Sequence, residues 1–371
     1  MLGFGMHVFQ DPGAALAGRI SARTVDEAEC VVSVLLAILF AHLLGASNVS
    51  WAAFSGYMVM RGHAAETLPR GGLRIVGTVT GGLLALAAAP LIVPHWLPAA
   101  LALLVVGTGS LYAALTARYA YAWLFFGLTF AMVVLDKAEH PDTALTVFVE
   151  TRVLETVAGT LACVLVSLVS TATLRRIWPG KRTPPAPVTR WHPAAFRHAL
   201  QAGLALAVLV ALVAWFDIPA LAQGAITIMA VMVVPLEGIG PSGLVPVSRR
   251  IVQRFIGCIA GALLAAAFLF FAHGTAWVLI AGTILGVALG RHLENGPPSR
   301  RYIGTQFTLA ILVTLVPDSY ANAAIAPALE RLSGILVGMA VLEPILLAWH
   351  VISPLRLDLA RRNDPEESGG L

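Results

Sequence analysis

Arg74-Ile-Val-Gly77-Thr-Val-Thr-Gly81 begins one of four apolar stretches that share a pattern: an arginine, a small or acidic residue three places on, and a glycine seven places on. The other copies are Arg152-x-x-Glu155-x-x-x-Gly159, Arg254-x-x-Gly257-x-x-x-Gly261 and Arg331-x-x-Gly334-x-x-x-Gly338. The first and third copies lie 180 residues apart, and the second and fourth lie 179 apart. This near-constant spacing predicts a duplicated unit with two such elements in each half.

The composition is that of a membrane protein. Of the 371 residues, 58% are hydrophobic and only 12% are charged, whereas a soluble domain is about 45 to 50% apolar and about 25% charged. Apolar runs recur from residue 31 to residue 352, which predicts an all-α polytopic membrane protein with no large aqueous domain. The basic residues of such a chain report its orientation, so the net charge of +4 is no sign of a nucleic-acid partner.

The sequence carries none of the common signatures of enzymes. It contains no P-loop for ATP, no His-Glu-x-x-His zinc motif and no nucleophile elbow. Its three cysteines, Cys30, Cys163 and Cys258, have no metal-binding or redox spacing. We therefore expect no enzymatic activity, no cofactor and no metal site. Any transport is then passive or driven by an ion gradient.

The apolar runs divide into twelve predicted spans. A helix needs about 20 apolar residues to cross the bilayer, and fewer where it is buried in protein. The predicted spans, six in each half, are 27–45, 47–61, 72–93, 97–116, 119–136, 148–172, 197–216, 219–236, 252–272, 275–291, 301–317 and 326–352. The predicted organisation is a cytoplasmic N-terminal segment (1–26), a first six-helix repeat (27–173), a proline-rich basic linker (174–196), a second six-helix repeat (197–352) and a cytoplasmic C-terminal tail (353–371).

The distribution of basic residues predicts the orientation. With both termini in the cytoplasm, 21 of the 24 lysines and arginines lie on the cytoplasmic side, and only Lys137, Arg152 and Arg331 lie on the other. Because six is even, the two halves enter the membrane in the same direction, as parallel repeats. Because three is odd, the two arginine elements within one half point in opposite directions, which fits a three-plus-three inverted repeat.

The four arginines of the pattern are candidate ligands for an anion. We expect each one to begin a helix, where free N–H groups and the helix dipole attract an anion and the guanidinium adds a bidentate donor for a carboxylate. For Arg74 and Arg254, the alternative is a side chain that reaches out to the lipid headgroups. For the other two, the alternative is neutralisation by a neighbouring acid: Glu150 or Glu155 for Arg152, and Glu330 for Arg331.

Two acidic residues within the predicted spans are candidates for proton coupling. Glu155 lies one turn into predicted helix 6, and Glu343 lies well inside predicted helix 12. An acidic group in the hydrocarbon is costly and is a functional candidate by default. The alternative for each is an ion pair with a neighbouring helix.

Predicted helices 2 and 8 are short segments that contain glycine or proline, and they occupy equivalent positions in the two halves. Short, interrupted segments at corresponding positions indicate a transport site near the middle of the membrane. We therefore take Trp51 and Tyr57 on helix 2 and Gln223 on helix 8 as candidate substrate ligands. The alternative for the tryptophan is a place in the interfacial aromatic belt.

Glycines at four-residue spacing let another helix backbone approach closely. The pairs that predict such helix packing are Gly77 with Gly81, Gly257 with Gly261, and Gly334 with Gly338. The alternative is direct contact with substrate.

Two stretches resemble a known family. Asn48-Val-Ser-Trp51-Ala-Ala-Phe-Ser-Gly-Tyr-Met-Val-Met60, followed by Arg74-Ile-Val-Gly77-Thr-Val-Thr-Gly81-Gly82, resembles the membrane half of the fusaric acid resistance (FUSC) family, which includes the aromatic acid exporters. Gln253-Arg254-Phe-Ile-Gly257-Cys-Ile-Ala-Gly261 is similar to the same signature in the second half. The short linker indicates a compact member without a large cytoplasmic domain.

The resemblance implies an inner-membrane exporter of aromatic or other weak organic acids, driven by the proton gradient. In many members it also implies a periplasmic adaptor and an outer-membrane channel as partners. We therefore expect a secondary exporter in the lipid bilayer whose substrate is a small organic anion, alone or as a homo-oligomer. Two alternatives stay open. One is a passive organic-anion channel, and the other is a non-transporting assembly subunit, which would have no polar cavity at helices 2 and 8.

Overall fold

The computed structural model describes residues 21–180, 191–216, 221–240, 242–320 and 323–363. Over these residues the protein is all-helical, with thirteen α-helices and no strand. Most of the predicted N-terminal segment, the middle of the predicted linker (181–190) and the end of the predicted tail (364–371) lie outside the described residues.

Within the described residues, six α-helices precede the linker and six follow it. The first six are α1 (Ala22–Leu43), α2 (Val49–Val59), α3 (Ala64–Ile92), α4 (Trp96–Thr116), α5 (Ala120–Glu139) and α6 (Leu145–Ala172). A four-residue helix, α7 (Leu174–Ile177), comes next. The last six are α8 (Pro193–Trp215), α9 (Leu221–Met232), α10 (Leu244–Ala272), α11 (Ala276–Glu294), α12 (Pro298–Leu315) and α13 (Ala326–Asn363).

Eight helices of the described chain are long and apolar enough to cross a membrane: α3, α4, α5, α6, α8, α10, α11 and α13. Large apolar side chains on their surfaces, such as Leu91, Val105 and Leu263, are exposed, as expected of positions that face lipid tails. The protein is therefore a polytopic α-helical membrane protein. α2 and α9 are 11 and 12 residues long, which confirms that predicted helices 2 and 8 are the short ones. The count of twelve spans stays a prediction.

Helix packing surrounds a central space with elements of both halves. In the first half, α3 packs against α5 and α6, and α2 packs against α6. In the second half, α10 packs against α12 and α13, and α9 packs against α13. Between the halves, α4 packs against α8, α1 against α11, α5 against α9, and α2 against α12. The two short helices therefore both lie near the centre, each against a helix of the other half.

The prediction that the four arginines begin helices is wrong. α3 begins at Ala64 and α10 at Leu244, so Arg74 and Arg254 lie about three turns inside their helices. The other two arginines also lie inside α6 and α13. Hydropathy marks the apolar part of a helix, whereas the polar residues before it are adequate helix formers and continue the helix toward its true N-terminus. The helix dipole therefore contributes little at these arginines.

Candidate functional site

A cavity of about 480 Å³ lies at the centre of the helices. Six arginines line it. Among the described residues, Glu294 is the one acidic residue of the lining. The arginines are Arg61, Arg70, Arg74, Arg250, Arg254 and Arg331. A lining with this excess of fixed positive charge attracts anions and repels cations.

Aromatic rings form much of the remaining wall. They belong to Trp51, Phe54, Tyr57, Tyr121, Phe125 and Tyr302, and aliphatic side chains such as Leu128 and Ile226 lie between them. A cavity with an apolar wall and a few charged groups fits a ligand that is partly apolar and carries a charge.

The first-half arginines of the cavity have partners within the protein. Arg74 donates from Nε to Ser55 Oγ at 3.1 Å and from Nη1 to the Tyr121 hydroxyl at 3.4 Å. Its guanidinium carbon lies 4.0 Å from the centre of the Phe125 ring. Arg70 donates from Nε to the carbonyl of Met58 at 3.2 Å, and its guanidinium lies 3.6 Å from the centre of the Tyr121 ring. Hydrogen bonds and cation–π contacts thus hold both side chains in place.

The second-half arginines are less well satisfied. Arg254 Nη1 and Arg331 Nη2 both donate to one neutral acceptor, Gln306 Oε1, at 2.7 and 3.2 Å. The two arginines are 1% and 2% exposed, and among the described residues neither forms an ion pair. Four buried atoms have no hydrogen-bond partner within the described part of the chain: Arg254 Nε, Arg254 Nη2, Arg331 Nε and the Tyr302 hydroxyl oxygen. A buried charge that lacks a counter-ion is costly, so this cluster is a strong candidate for binding an anion.

Arg152 and Glu155 form an ion pair beside the cavity and not in its wall. Arg152 Nη1 lies 3.2 Å from Glu155 Oε2, and Glu155 is almost fully buried. The guanidinium of Arg152 also lies 4.1 Å from the centre of the Trp51 ring, which does line the cavity. Arg152 is therefore neutralised by Glu155, one of the two acids that the sequence offers for it. Arg331, at the corresponding position in the second half, is not neutralised by Glu330, which is exposed and forms no ion pair with it among the described residues.

The structure brings five of the predicted ligands together and leaves the others outside the lining. Arg74, Arg254, Arg331, Trp51 and Tyr57 line the cavity. Gln223 on α9 is partly buried, has no hydrogen-bond partner at Oε1, and does not line the cavity. Glu343 on α13 is partly buried and also lies outside the lining.

The glycines of the repeated pattern lie where helix backbones come close together. A Cβ on Gly257 would lie 2.6 Å from the carbonyl oxygen of Ile303, and one on Gly261 would lie 2.5 Å from that of Phe307. In the first half, a Cβ on Gly77 or Gly81 would overlap carbonyl oxygens of α5. Gly338 packs against α9, and a Cβ on Gly338 would lie 2.9 Å from the carbonyl oxygen of Gly224. A Cβ on Gly224 would in turn lie 3.6 Å from the carbonyl oxygen of Gly334. A larger side chain at Gly77, Gly81, Gly257, Gly261 or Gly338 would push the helices apart.

Several residues of the cavity were not predicted from the sequence, although they recur at nearly the same spacing as the arginine–glycine pattern. Arg70 and Arg250 lie 180 residues apart, and Tyr121 and Tyr302 lie 181 apart. Each tyrosine ring stacks with the guanidinium of the arginine in its own half, at 3.6 and 4.8 Å. A search for every residue type that recurs at this spacing, beyond the arginine–glycine pattern alone, would have found both pairs.

A cluster of charges joins α1 to α11 beside the cavity. Asp26 on α1 accepts hydrogen bonds from Arg291 Nε and Nη2 on α11 at 2.6 and 3.1 Å. Arg291 also lies 3.2 Å from Glu294, which accepts a hydrogen bond from the Tyr57 hydroxyl at 2.5 Å. We call Asp26, Arg291 and Glu294 the α1–α11 charge cluster. It connects the first half of the chain to the second and extends to the cavity wall.

The fold and the cavity together define a polytopic α-helical membrane protein with a cationic, aromatic-lined central cavity. Comparison with known families places it more narrowly. Residues 36–166 and 239–342 match the family described as fusaric acid resistance protein-like, and the chain belongs to that family. No curated protein and no solved structure matches the chain.

Membership of this family indicates efflux or transport of acids across a membrane as the class of function. The family is one of transporters and not of enzymes, and its members are multi-pass proteins embedded in the lipid bilayer. A small anion is therefore the expected kind of substrate.

Proposed function

We propose that the protein is a secondary transporter that exports aromatic or other weak organic acids from the cytoplasm, with the central cavity as its substrate site. The observation that carries this proposal is the charge of the lining, where six arginines face one glutamate. At neutral pH a weak organic acid is an anion with an apolar body. The arginines attract the carboxylate, and the wall around Trp51 and Phe54 receives the apolar part.

The proposed arrangement in the membrane is twelve spans in two parallel six-helix repeats, each a three-plus-three inverted repeat, in the bacterial inner membrane with both termini in the cytoplasm. The corresponding helix pairs of the two halves support the duplication. The near absence of basic residues from one side of the membrane supports the orientation.

We propose a proton gradient as the driving force, with Glu343 or Glu155 as the group that carries the proton. Both are acidic residues within long apolar helices, where a charge is costly and protonation is favoured whenever no partner is available. A periplasmic adaptor, an outer-membrane channel and a homo-oligomeric state belong to the same proposal by family resemblance.

The cavity favours transport over the assembly-subunit alternative, which predicts tight packing with no polar cavity at the short helices. Side chains of both short helices, including Phe54 of α2 and Ile226 of α9, line the cavity. A passive channel would use the same arginines. It differs from a proton-driven exporter because its flux follows the electrochemical gradient of the substrate itself.

Uptake of radiolabelled 4-hydroxybenzoate into inside-out membrane vesicles tests the function. Vesicles that contain the protein should accumulate the anion when a proton gradient is imposed, and vesicles without the protein should not. Because neutral weak acids cross bilayers unaided, the second set of vesicles is the essential control. Glu343→Gln should abolish accumulation if this residue carries the proton, and Glu155→Gln should do so if the other one does. Gradient-independent equilibration would favour the channel, and absence of protein-dependent flux for several organic acids would refute the proposal.

A further inference from the structure

The arginines of the repeated pattern have different partners in the two halves, although the pattern places them at equivalent positions. In the first half, Arg74 has Ser55 and Tyr121 as partners, and Arg152 has Glu155. In the second half, Arg254 and Arg331 share the single oxygen of Gln306. Gly334 occupies the position in the pattern that Glu155 occupies in the first half, so the second half lacks the carboxylate that neutralises the first.

We infer that the cavity binds its substrate in one orientation, with the carboxylate between Arg254 and Arg331 and not at the equivalent Arg74. This inference deepens the proposed function and rests on it. Gln306 is a positioning residue, because it holds both guanidinium groups without neutralising them.

The unpaired atoms have the right chemistry for a carboxylate. The free nitrogens of Arg254 are Nε and Nη2, which form the edge of a guanidinium that binds a carboxylate through two parallel hydrogen bonds. The protein uses this same edge elsewhere, since Arg291 holds Asp26 through Nε and Nη2 at 2.6 and 3.1 Å. Arg331 Nε and the Tyr302 hydroxyl, also unpaired, are further donors among the residues that line the cavity.

The apolar part of the ligand has a place beside these donors. The ring of Phe54 lies 5.6 Å from the guanidinium carbon of Arg331, and the ring of Trp51 lies 5.1 Å from that of Phe54. An aromatic acid whose carboxylate is held at Arg331 can therefore place its ring against these two side chains. The substrate class this site selects is a monocarboxylate with an aromatic or other flat apolar body.

Gln306→Glu is the sharpest test, because it places a carboxylate of nearly the same shape between the two arginines. The probe is benzoate, titrated calorimetrically into the purified protein in detergent, with neutral benzamide as the reference ligand. We expect Gln306→Glu to weaken benzoate binding by about 100-fold, because the new carboxylate neutralises the arginines and repels the ligand. We expect its unfolding temperature to stay unchanged or to rise, whereas a merely structural role for Gln306 would lower it.

Ser55→Ala is the matched control in the first half, since it removes the partner of Arg74 Nε. It should change benzoate affinity by no more than about threefold. A second variant, Arg331→Gln, should lose benzoate binding and gain thermal stability, because it removes one of two buried charges that lack a counter-ion.

Two results would overturn the inference while leaving the proposed function in place. One is benzoate binding that survives Gln306→Glu, and the other is binding that is lost in Ser55→Ala while the wild-type protein binds and transports. A wild-type protein that neither binds benzoate nor transports any organic acid would overturn both proposals.

Discussion

Asp26→Asn should destabilise the protein far more than the same loss of charge at the next residue. Asp26 is 8% exposed and Arg291 is 5% exposed, and hydrogen bonds of 2.6 and 3.1 Å join them across the interface between α1 and α11. The neighbouring Glu27 pairs instead with Arg23 and His292, whose side chains are 39% and 59% exposed. The two acids thus lie one position apart in sequence, and they differ in how exposed their basic partners are to solvent.

The expected magnitudes follow from burial. Removing one partner of a buried ion pair costs about 3 to 5 kcal/mol, because the other charge is left in a medium that solvates it poorly. Arg291 keeps Glu294 at 3.2 Å, which places Asp26→Asn near the lower end, at about 3 kcal/mol. Exposed pairs contribute about 0 to 1 kcal/mol, so Glu27→Gln should cost no more than that.

The assay is equilibrium unfolding in dodecyl maltoside micelles with a rising fraction of SDS, followed by circular dichroism and by tryptophan fluorescence. Wild-type protein and the two variants are compared under one set of conditions. Equal losses of stability in Asp26→Asn and Glu27→Gln would refute the reasoning. So would a loss below about 1 kcal/mol in Asp26→Asn, since it would mean that water solvates Arg291 as well as it solvates Arg23.

Four further substitutions test the packing, the electrostatics and the binding of aromatic ligands. Gly261→Ala should lower stability by about 1 to 3 kcal/mol, because the added Cβ would lie 2.5 Å from the carbonyl oxygen of Phe307 and would overpack the helix contact. Gly109→Ala, where the added Cβ meets nothing within 4 Å, should be neutral or stabilising by up to about 1 kcal/mol, and the same SDS titration compares the two. Glu155→Gln should cost about 3 kcal/mol by leaving Arg152 without its counter-ion, and unchanged unfolding would show that the pair is hydrated. Trp51→Ala should weaken binding of benzoate more than that of acetate in calorimetric titrations, and an equal loss for both would exclude a stacking role.

Much of the candidate site was within reach of the sequence because several of its side chains recur at a near-constant spacing. The arginines of the pattern identified three of the six that line the cavity, and the short helices identified Trp51 and Tyr57. Tyr302 lies outside the arginine–glycine pattern, although it recurs with Tyr121 at nearly the same spacing. Glu294 was missed because it ends a long helix and has no counterpart in the pattern.

The helix boundaries were the weakest predictions. α3 and α10 each begin eight residues before the predicted starts at 72 and 252, at Ala64 and Leu244. Hydropathy detects only the apolar part of a helix, which lies among the lipid tails. The helix itself, held by its backbone hydrogen bonds, continues into polar segments that hydropathy does not detect. The placement of the arginines at helix N-termini failed for the same reason.

The sequence by itself determined that this is a polytopic helical membrane protein, that its chain carries a repeated arginine–glycine pattern, and that two short helices occupy equivalent places in its halves. These properties depend on the composition of the chain, the length of its apolar segments and the spacing of its residues, all of which the sequence contains directly. Only the tertiary structure decided which arginines are neutralised, because an ion pair depends on distances between side chains on different helices or turns. Arg152 has a glutamate at 3.2 Å, whereas Arg254 and Arg331 share one neutral oxygen of Gln306. The difference begins in the sequence, where Gly334 stands at the position of Glu155 in the pattern, but only the packing shows that no other acid of the described chain pairs with Arg254 or Arg331.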